Sequence, residues 1–223
     1  MGLFRRRPKD VDTQVEAEVP EGPKVGPFDI SEVDDTEGRL NLGCLHIPAH
    51  PGMKVRIELD KNTKTPISVT CVIERSSVQL QLFAAPRSAS LWDDIRPSLA
   101  DSARDKGGEV DDVPGVFGRE LLVKLPVTTK GGSGIKPVRF AGIDGPRWMI
   151  RAVFHGEAAL NRESAVALEE LVRSVVVDRG VEARPPREPI PLALPGQNEA
   201  DETTENADPM GILRRGPEMT ETR

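Results

Sequence analysis

Apolar and polar residues alternate along much of 38–155, and this period of two predicts β-strands. The clearest example is the segment MKVRIEL at 53–59, in which every second residue is apolar and the others are charged. The same pattern predicts strands within 38–47, 67–73, 77–85, 118–127, 136–143 and 147–155. Short connections between most of these segments favour antiparallel pairing.

Two segments change to the helical period of 3.6 residues. In 90–107 the apolar residues recur at helical spacing after Ser90, which forms a capping pair with Asp93. Pro97 is expected to kink this helix or delay its start. A second apolar stripe predicts a helix over 162–177. The expected fold class is therefore α+β, a mainly antiparallel sheet flanked by two principal helices.

The periodic pattern defines three parts of the chain. Residues 38–195 are expected to form a single α+β domain that ends in a proline-rich extended segment. Residues 1–37 are rich in acidic residues, Gly and Pro and predict a disordered acidic arm, with Phe28 and Ile30 as its plausible anchors. Residues 196–223 predict a disordered tail.

The net charge of −6 over 223 residues is unevenly distributed: −5 in 1–37, −4 in 181–223 and +3 in 38–180. A mildly basic body with six scattered phenylalanines and no tyrosine carries no strong nucleic-acid signal. The sequence has two cysteines, no secretory signal pattern and no apolar run of ~20 residues, the length that a membrane span requires. We therefore expect a cytoplasmic protein.

The segment GIDGPRWMIRAVFHG at 142–156 joins two predicted strands, and its loop length decides which side chains share a face. A two-residue turn at Asp144–Gly145 would split the apolar residues between both faces. A five-residue loop from Ile143 to Arg147 instead gathers them on one face. That face would hold Val138, Phe140, Trp148, Ile150, Ala152 and Phe154. We expect this register, with Trp148 as a core anchor and the helix at 162–177 over the face.

In that register Arg139 faces Arg151 across the strands, with Arg147 nearby on the same side. Like charges directly opposite each other are unfavourable unless something separates or neutralises them. In a purely structural arrangement Glu120, Asp144 or a helix carboxylate would pair with them. The functional alternative is a site for an anion or an acidic partner, formed by Arg139, Arg147, Arg151 and His155.

The sequence contains no strong catalytic or cofactor motif, and we predict no catalytic residue, no cofactor and no metal. Cys44, His46 and Cys71 would supply three zinc ligands without a fourth. Two small thiols in the core of a sheet explain the cysteines more simply.

A short pattern occurs near each end of the sequence, MGLFRRRPK at 1–9 and MGILRRGPE at 210–218. Each copy has an apolar pair followed by two arginines: Leu3, Phe4, Arg5 and Arg6, then Ile212, Leu213, Arg214 and Arg215. Two weak docking motifs on flexible tethers could bind together through a raised effective concentration. A weak contact with an anionic membrane surface and a chance repeat are the alternatives.

Five stretches carry a family resemblance: GPFD at 26–29, GRLNLGCLHIP at 38–48, GRELLVKLP at 118–126, GIDGPRWMIRAVFHG at 142–156 and PPREPIPLALP at 185–195. Together they resemble an uncharacterised actinobacterial family, a domain of unknown function often encoded near dUTPase. The resemblance implies a bacterial cytoplasmic setting and no particular activity, cofactor or site residue. The order of strands and helices from 78 to 177 is also similar to PsbP-like folds.

These observations favour a non-catalytic binding or adaptor protein that uses its sheet face and tails, with another protein as the expected partner. One alternative is a small-molecule or nucleotide-related enzyme with an arginine and histidine anion site. A second is a peripheral membrane protein that uses its Arg-rich tail motifs. An enzyme requires a concave pocket in which the arginines converge, whereas an adaptor does not.

Overall fold

The computed structural model describes residues 26–129 and 132–195. In chain order the strands are β1 (Phe28–Asp29), β2 (Arg39–Asn41), β3 (Leu45–Pro48), β4 (Lys54–Leu59), β5 (Pro66–Ile73), β6 (Ser76–Ala84), β7 (Glu109–Gly115), β8 (Gly118–Thr129), β9 (Gly132–Gly145), β10 (Trp148–Gly156) and β11 (Val176–Val177). The helices are α1 (Leu91–Asp105), between β6 and β7, and α2 (Arg162–Arg173), between β10 and β11. Two helices with mostly antiparallel strands confirm the α+β class.

The strands form two sheets. The larger sheet has the order β4-β5-β6-β10-β9-β8-β7 and is antiparallel throughout, as the alternating pattern predicts. The smaller sheet has the order β1-β11-β3-β2, and its β1 and β11 pair in parallel. β7 has no counterpart in the prediction, because its sequence EVDDVPG contains two valines among acidic residues and shows no clear alternation.

One face of the larger sheet, which we call the inner face, carries the main core. The buried residues on this side are Val78, Leu80, Leu82, Trp148, Ile150, Ala152 and Phe154 from the sheet, Ala165, Leu168, Leu171 and Val172 from α2, and Leu45 and Ile47 from β3. The larger sheet is thus covered on this face by α2 and the smaller sheet together. Trp148, Ile150 and Phe154 share one core cluster with residues of the second helix, as predicted for this face.

The opposite, outer face is covered over only half of its width. α1 packs on β8 and β9, where Trp92 and Ala100 contact a second core built on Leu121 and Val123. Next to this core, α1 also borders Phe83, Met149 and Arg151 of β6 and β10, and the open half of the face begins there. Polar side chains occupy that open half; the Glu58 carboxylate, for example, accepts hydrogen bonds from Ser68, Thr70 and Gln79.

The predicted five-residue loop between β9 and β10 is wrong. A two-residue turn, Pro146–Arg147, joins the strands, and Gly145 pairs with Trp148. Arg147 has a φ of 63°, so a proline followed by a left-handed residue gives the pattern of a type II turn. A two-residue loop gives a different register from a five-residue loop. The residues of β9 that share a face with Trp148 therefore change.

In the observed register the apolar residues divide between the two faces. Phe154 pairs with Arg139 and Val153 with Phe140, so Phe140 lies on the outer face. Val138 and Phe140 therefore do not share a face with Trp148, which corrects the prediction. The apolar residues need not share one face, because α1 covers the outer face at this point and buries apolar residues there as well.

The second helix is shorter than predicted, and its expected last turn is a strand. α2 ends at Arg173, and Val176–Val177 form β11. This strand lies next to Phe28–Asp29, and the Phe28 amide donates to the Val175 carbonyl at 2.9 Å. β1 therefore lies within 1–37, the range predicted as a disordered acidic arm. Within the described ranges neither helix has the length and apolar character needed to cross a membrane.

Candidate anion-binding site

The four predicted site residues do not converge in one place, and Trp148 at the start of β10 is a core residue. Trp148 is only 1% exposed, which confirms it as a core anchor. Its Nε1 donates a hydrogen bond to Asp29 Oδ2 at 2.9 Å. Although burial raises the pKa of Asp29, hydrogen bonds from Ser31 and Trp148 hold that pKa below its usual value. The start of the hairpin therefore attaches β10 to β1 rather than forming a ligand loop.

Arg139 lies on the inner face, across the sheet from Arg151, so the expected opposition of these two arginines is wrong. Its guanidinium lies 3.0 Å from Glu120 Oε2 and 2.7 Å from Glu169 Oε1. The guanidinium carbon is 4.1 Å from the centre of the Phe154 ring. Pairing with Glu120 and a helix carboxylate confirms the structural alternative. A cation between two buried carboxylates has no unbalanced positive charge for a ligand.

Arg147 is the left-handed residue of the turn, and its main described contacts are made by its backbone carbonyl. The Arg147 carbonyl accepts hydrogen bonds from the Ala85 amide at 3.0 Å and from Arg179 Nε at 3.1 Å. These contacts hold the turn against the segment that follows β11. Arg147 thus belongs to the framework at one end of the hairpin.

Arg151 lies on the outer face, at the border between the half that α1 covers and the open half. Its Nη2 donates to Gln81 Oε1 at 2.6 Å, and its guanidinium carbon is 5.3 Å from the centre of the Phe83 ring. Its Nε is buried without a hydrogen-bond partner in the described structure. Burial lowers the pKa of Arg151, and no described carboxylate opposes that shift.

A cavity of about 330 Å³ opens beside Arg151, between α1 and the outer face of β6 and β10. Its described lining is mostly apolar: Phe83, Leu91, Ile95, Leu99 and Met149, with Ser98, Ser102, Arg151 and Arg187. A concave apolar surface with a few convergent polar groups is the usual form of a ligand site. Among the predicted candidates, only Arg151 lines this cavity.

Arg187 at the rim was missed by the sequence reasoning. It has a φ of 73°, an unfavourable left-handed conformation for a residue with a side chain. Two hydrogen bonds hold this segment to Ala84: the Arg187 amide donates to the Ala84 carbonyl at 2.8 Å, and the Ala84 amide donates to the Glu188 carbonyl at 2.9 Å. Its Nη2 lies 3.8 Å from Asp94 Oδ2 on α1. In the sequence, Arg187 is an arginine among prolines in PPREP, a pattern that does not indicate which part of the fold it contacts.

His155 lies on the same face as Arg151, further along β10, and does not line the cavity. Its Nδ1 is buried without a hydrogen-bond partner in the described structure. Burial and the charge of Lys136 lower the pKa of His155, against a smaller opposing effect of Glu58. The structure therefore does not combine His155 with the arginines in one pocket.

Two other cavities contain charged residues that are already engaged. A cavity of about 210 Å³ lies over the Arg139, Glu120 and Glu169 cluster. A wider one of about 970 Å³ includes Arg179, whose guanidinium donates to three carbonyls, and Arg184, whose guanidinium pairs with two carboxylates. Arg151 is therefore the better candidate for an anion.

The cysteines lie in the core, as the simpler interpretation predicts. Cys44 and Cys71 are both buried, and the Cys44 thiol donates to the Pro191 carbonyl at 3.3 Å. Burial raises the pKa of each thiol to about 12, so both stay protonated at neutral pH. Among the described residues, no group of three His, Cys, Asp or Glu side chains could hold a metal ion.

The repeated tail motifs lie outside the described residues. This applies to both copies of the Met-Gly-apolar-apolar-Arg-Arg pattern, at 1–9 and 210–218, and to the predicted disorder of 1–25 and 196–223.

A comparison with protein families gives one match. The family model described as "Protein of unknown function (DUF3710)" matches residues 26–201, which include the whole of both sheets and both helices. No curated protein matches the sequence.

Proposed function

We propose that this chain, which belongs to the DUF3710 family of proteins of unknown function, is a non-catalytic binding protein that holds an anionic group at Arg151. One observation carries the proposal: the Arg151 guanidinium is partly buried, its Nε has no hydrogen-bond partner, and no described carboxylate neutralises it. Among the four predicted site residues, it is the one that lines the cavity between α1 and the outer face.

Burying the charge of Arg151 has a free-energy cost. A cation that has lost water without gaining a counter-ion raises the free energy of the folded state. Gln81 offers a neutral oxygen and Phe83 a ring face, and both compensate only in part. An anion next to Arg151 would supply the missing counter-charge, and a guanidinium can hold a carboxylate through two parallel hydrogen bonds.

Binding is favoured over catalysis by the residues around the cavity. Ser98 and Ser102 line it, but none of its described lining residues is a His, Asp or Glu that could activate a serine hydroxyl. Ser98 Oγ also donates to the Ile95 carbonyl at 2.9 Å, as a helix surface residue commonly does.

Several finer expectations remain proposals. They are the bacterial cytoplasmic setting, the PsbP-like arrangement of the sheet, and a protein partner recognised through the sheet face and tails. The open, polar half of the outer face next to Arg151 supports a partner that presents the anionic group.

An acetate titration tests the site. Backbone amide shifts of residues 81–83 and 149–153 are followed by NMR in the full chain at constant ionic strength, with chloride replaced by acetate. We expect saturable shifts in the wild-type protein and none in Arg151→Met. Arg56→Met is the matched control, because Arg56 is an exposed arginine on the outer face of β4. Equal shifts in wild type and Arg151→Met would overturn the proposal.

A further inference from the structure

The cavity beside Arg151 has an apolar lining that a simple anion does not require. Leu91 and Met149 are fully buried, and Phe83, Ile95 and Leu99 are half-buried around the empty space. When an apolar group displaces water from such half-buried apolar side chains, the free energy of the system falls.

We propose that the ligand of this site is an amphipathic monocarboxylate, with its carboxylate at Arg151 and its hydrocarbon chain in the cavity between α1 and the outer face of β6 and β10. This inference rests on the proposed anion site. It adds the chemical class of the ligand and the position of its apolar part.

The charged residues around the cavity favour a ligand with a single negative charge. Arg187 at the rim already lies beside Asp94, and both side chains are more than half exposed. Among the described residues that line the cavity, Arg151 is the charged one without a counter-ion. A dianion such as a phosphate monoester would bring a second negative charge into a largely apolar site, which is unfavourable.

The positions of the lining residues indicate where the charged end and the apolar end of the ligand would lie. Phe83 contacts the guanidinium of Arg151 through its ring and also lines the cavity, so it marks the junction of the charged and apolar parts. Ile95 and Leu99 lie four residues apart on α1, so they form one apolar strip along the helix. A cavity of about 330 Å³ is at the small end of ligand pockets and suits a short or medium-length chain.

A series of carboxylates of increasing length tests the ligand class. Acetate, butanoate, hexanoate and octanoate, with 1-octanol as the uncharged comparison, are titrated into the full chain by calorimetry below micellar concentrations. Each methylene that enters the cavity should tighten binding about fourfold, which corresponds to ~0.8 kcal/mol. The gain should level off once the cavity is full, and octanol should bind more weakly than octanoate.

Two variants separate the charged part from the apolar part. Arg151→Met should reduce octanoate binding to the level of octanol. Ser102→Phe places a ring at the cavity from an exposed position of α1, so it should abolish the chain-length gain and leave acetate binding unchanged. Arg56→Met should match the wild type throughout, and circular dichroism checks that each variant is folded.

The outcomes distinguish the two proposals. If acetate binds through Arg151 and octanoate binds no more tightly, the amphipathic ligand is wrong and the anion site stands. If octanol and octanoate bind equally and Arg151→Met changes neither, the cavity binds apolar molecules only and both proposals fail. If no carboxylate binds in an Arg151-dependent way, the anion site itself is wrong.

Discussion

At the scale of single residues, each tryptophan ring occupies space that a glycine of β9 leaves free. Trp92 of α1 contacts Gly142 on the outer face, and Trp148 contacts Gly145 on the inner face. A Cβ on either glycine would overlap carbon atoms of the indole. Their place in GIDGP suggests a turn, yet both are paired strand residues whose missing side chains allow α1 and β10 to pack closely.

Gly142→Ala is expected to destabilise the protein by about 1–3 kcal/mol, because overpacking displaces the Trp92 ring or β9. Gly134→Ala is the matched control, since Gly134 is in the same strand and a Cβ there would meet no atom within 4 Å. Urea denaturation of both variants measures the difference in the free energy of unfolding. Equal stabilities would contradict the close contact.

His155 gives the stability of the fold a dependence on pH. Burial and Lys136 place its folded-state pKa below the unfolded value of 6.5. Below that value the unfolded state binds more protons, so the free energy of unfolding falls as the pH decreases from 7 to 5. His46, whose pKa is lowered mainly by burial, acts in the same direction.

His155→Gln should therefore lose less stability than the wild type when urea denaturation is repeated at pH 7 and pH 5. His50→Gln is the control for the number of histidines, because His50 is exposed. An unchanged difference between the two pH values in His155→Gln would show that this residue is not responsible.

At the scale of elements, the start of α1 shows which contacts the sequence could predict. Ser90 Oγ accepts a hydrogen bond from the Asp93 amide at 3.0 Å, as the predicted capping pair requires. Asp144 of β9 adds a second cap, accepting from the Leu91 amide at 3.0 Å and from Ser90 Oγ at 2.7 Å. The first contact spans three residues and is visible as a pattern, whereas the second depends on the fold. α1 begins at Leu91, six residues before Pro97, so the proline does not delay its start.

The Arg139 cluster joins α2 to the sheet, and removing the cation should cost about 3–5 kcal/mol because it leaves two buried carboxylates without a counter-charge. Arg139→Met is compared with Arg119→Met, which removes a half-exposed partner of Asp112 and should cost at most ~1 kcal/mol. Thermal and urea unfolding measure both.

A combined variant distinguishes charge from packing. Adding Glu120→Gln and Glu169→Gln to Arg139→Met removes the unpaired charges, so it should restore part of the lost stability. If the triple variant is less stable than Arg139→Met, the loss comes from packing against Phe154 rather than from charge.

At the scale of the whole molecule, the sequence predicted the individual strands and helices better than it predicted which of them are neighbours in the fold. The strands with alternating residues and the two helices were identifiable, because their periods are local. The parallel pairing of β1 with β11 was not, since Phe28 and Val176 are adjacent only in the fold. For the same reason Arg151 was identified as a cation of interest, but its cavity, formed with α1 and Arg187, was not.

The N-terminal boundary gives a whole-molecule prediction. Deleting 1–25, which the composition predicts to be disordered, should leave the free energy of unfolding unchanged. Deleting 1–37 removes β1 and leaves the buried Trp148 Nε1 without Asp29, an effect of at least about 1–3 kcal/mol. Urea denaturation of both truncated chains measures this, and equal stability would mean that β1 contributes nothing.

The pairing of β1 with β11 also has a consequence for biosynthesis. A ribosome produces the chain from its N-terminus, so β1 leaves the exit tunnel long before β11, the strand beside it in the smaller sheet. The larger sheet can grow by successive hairpins, since most of its neighbouring strands are close in sequence. β1 has to wait until β11 is made and incurs the cost of closing a long loop. During translation, β1 is therefore made early and is among the last strands to find its place.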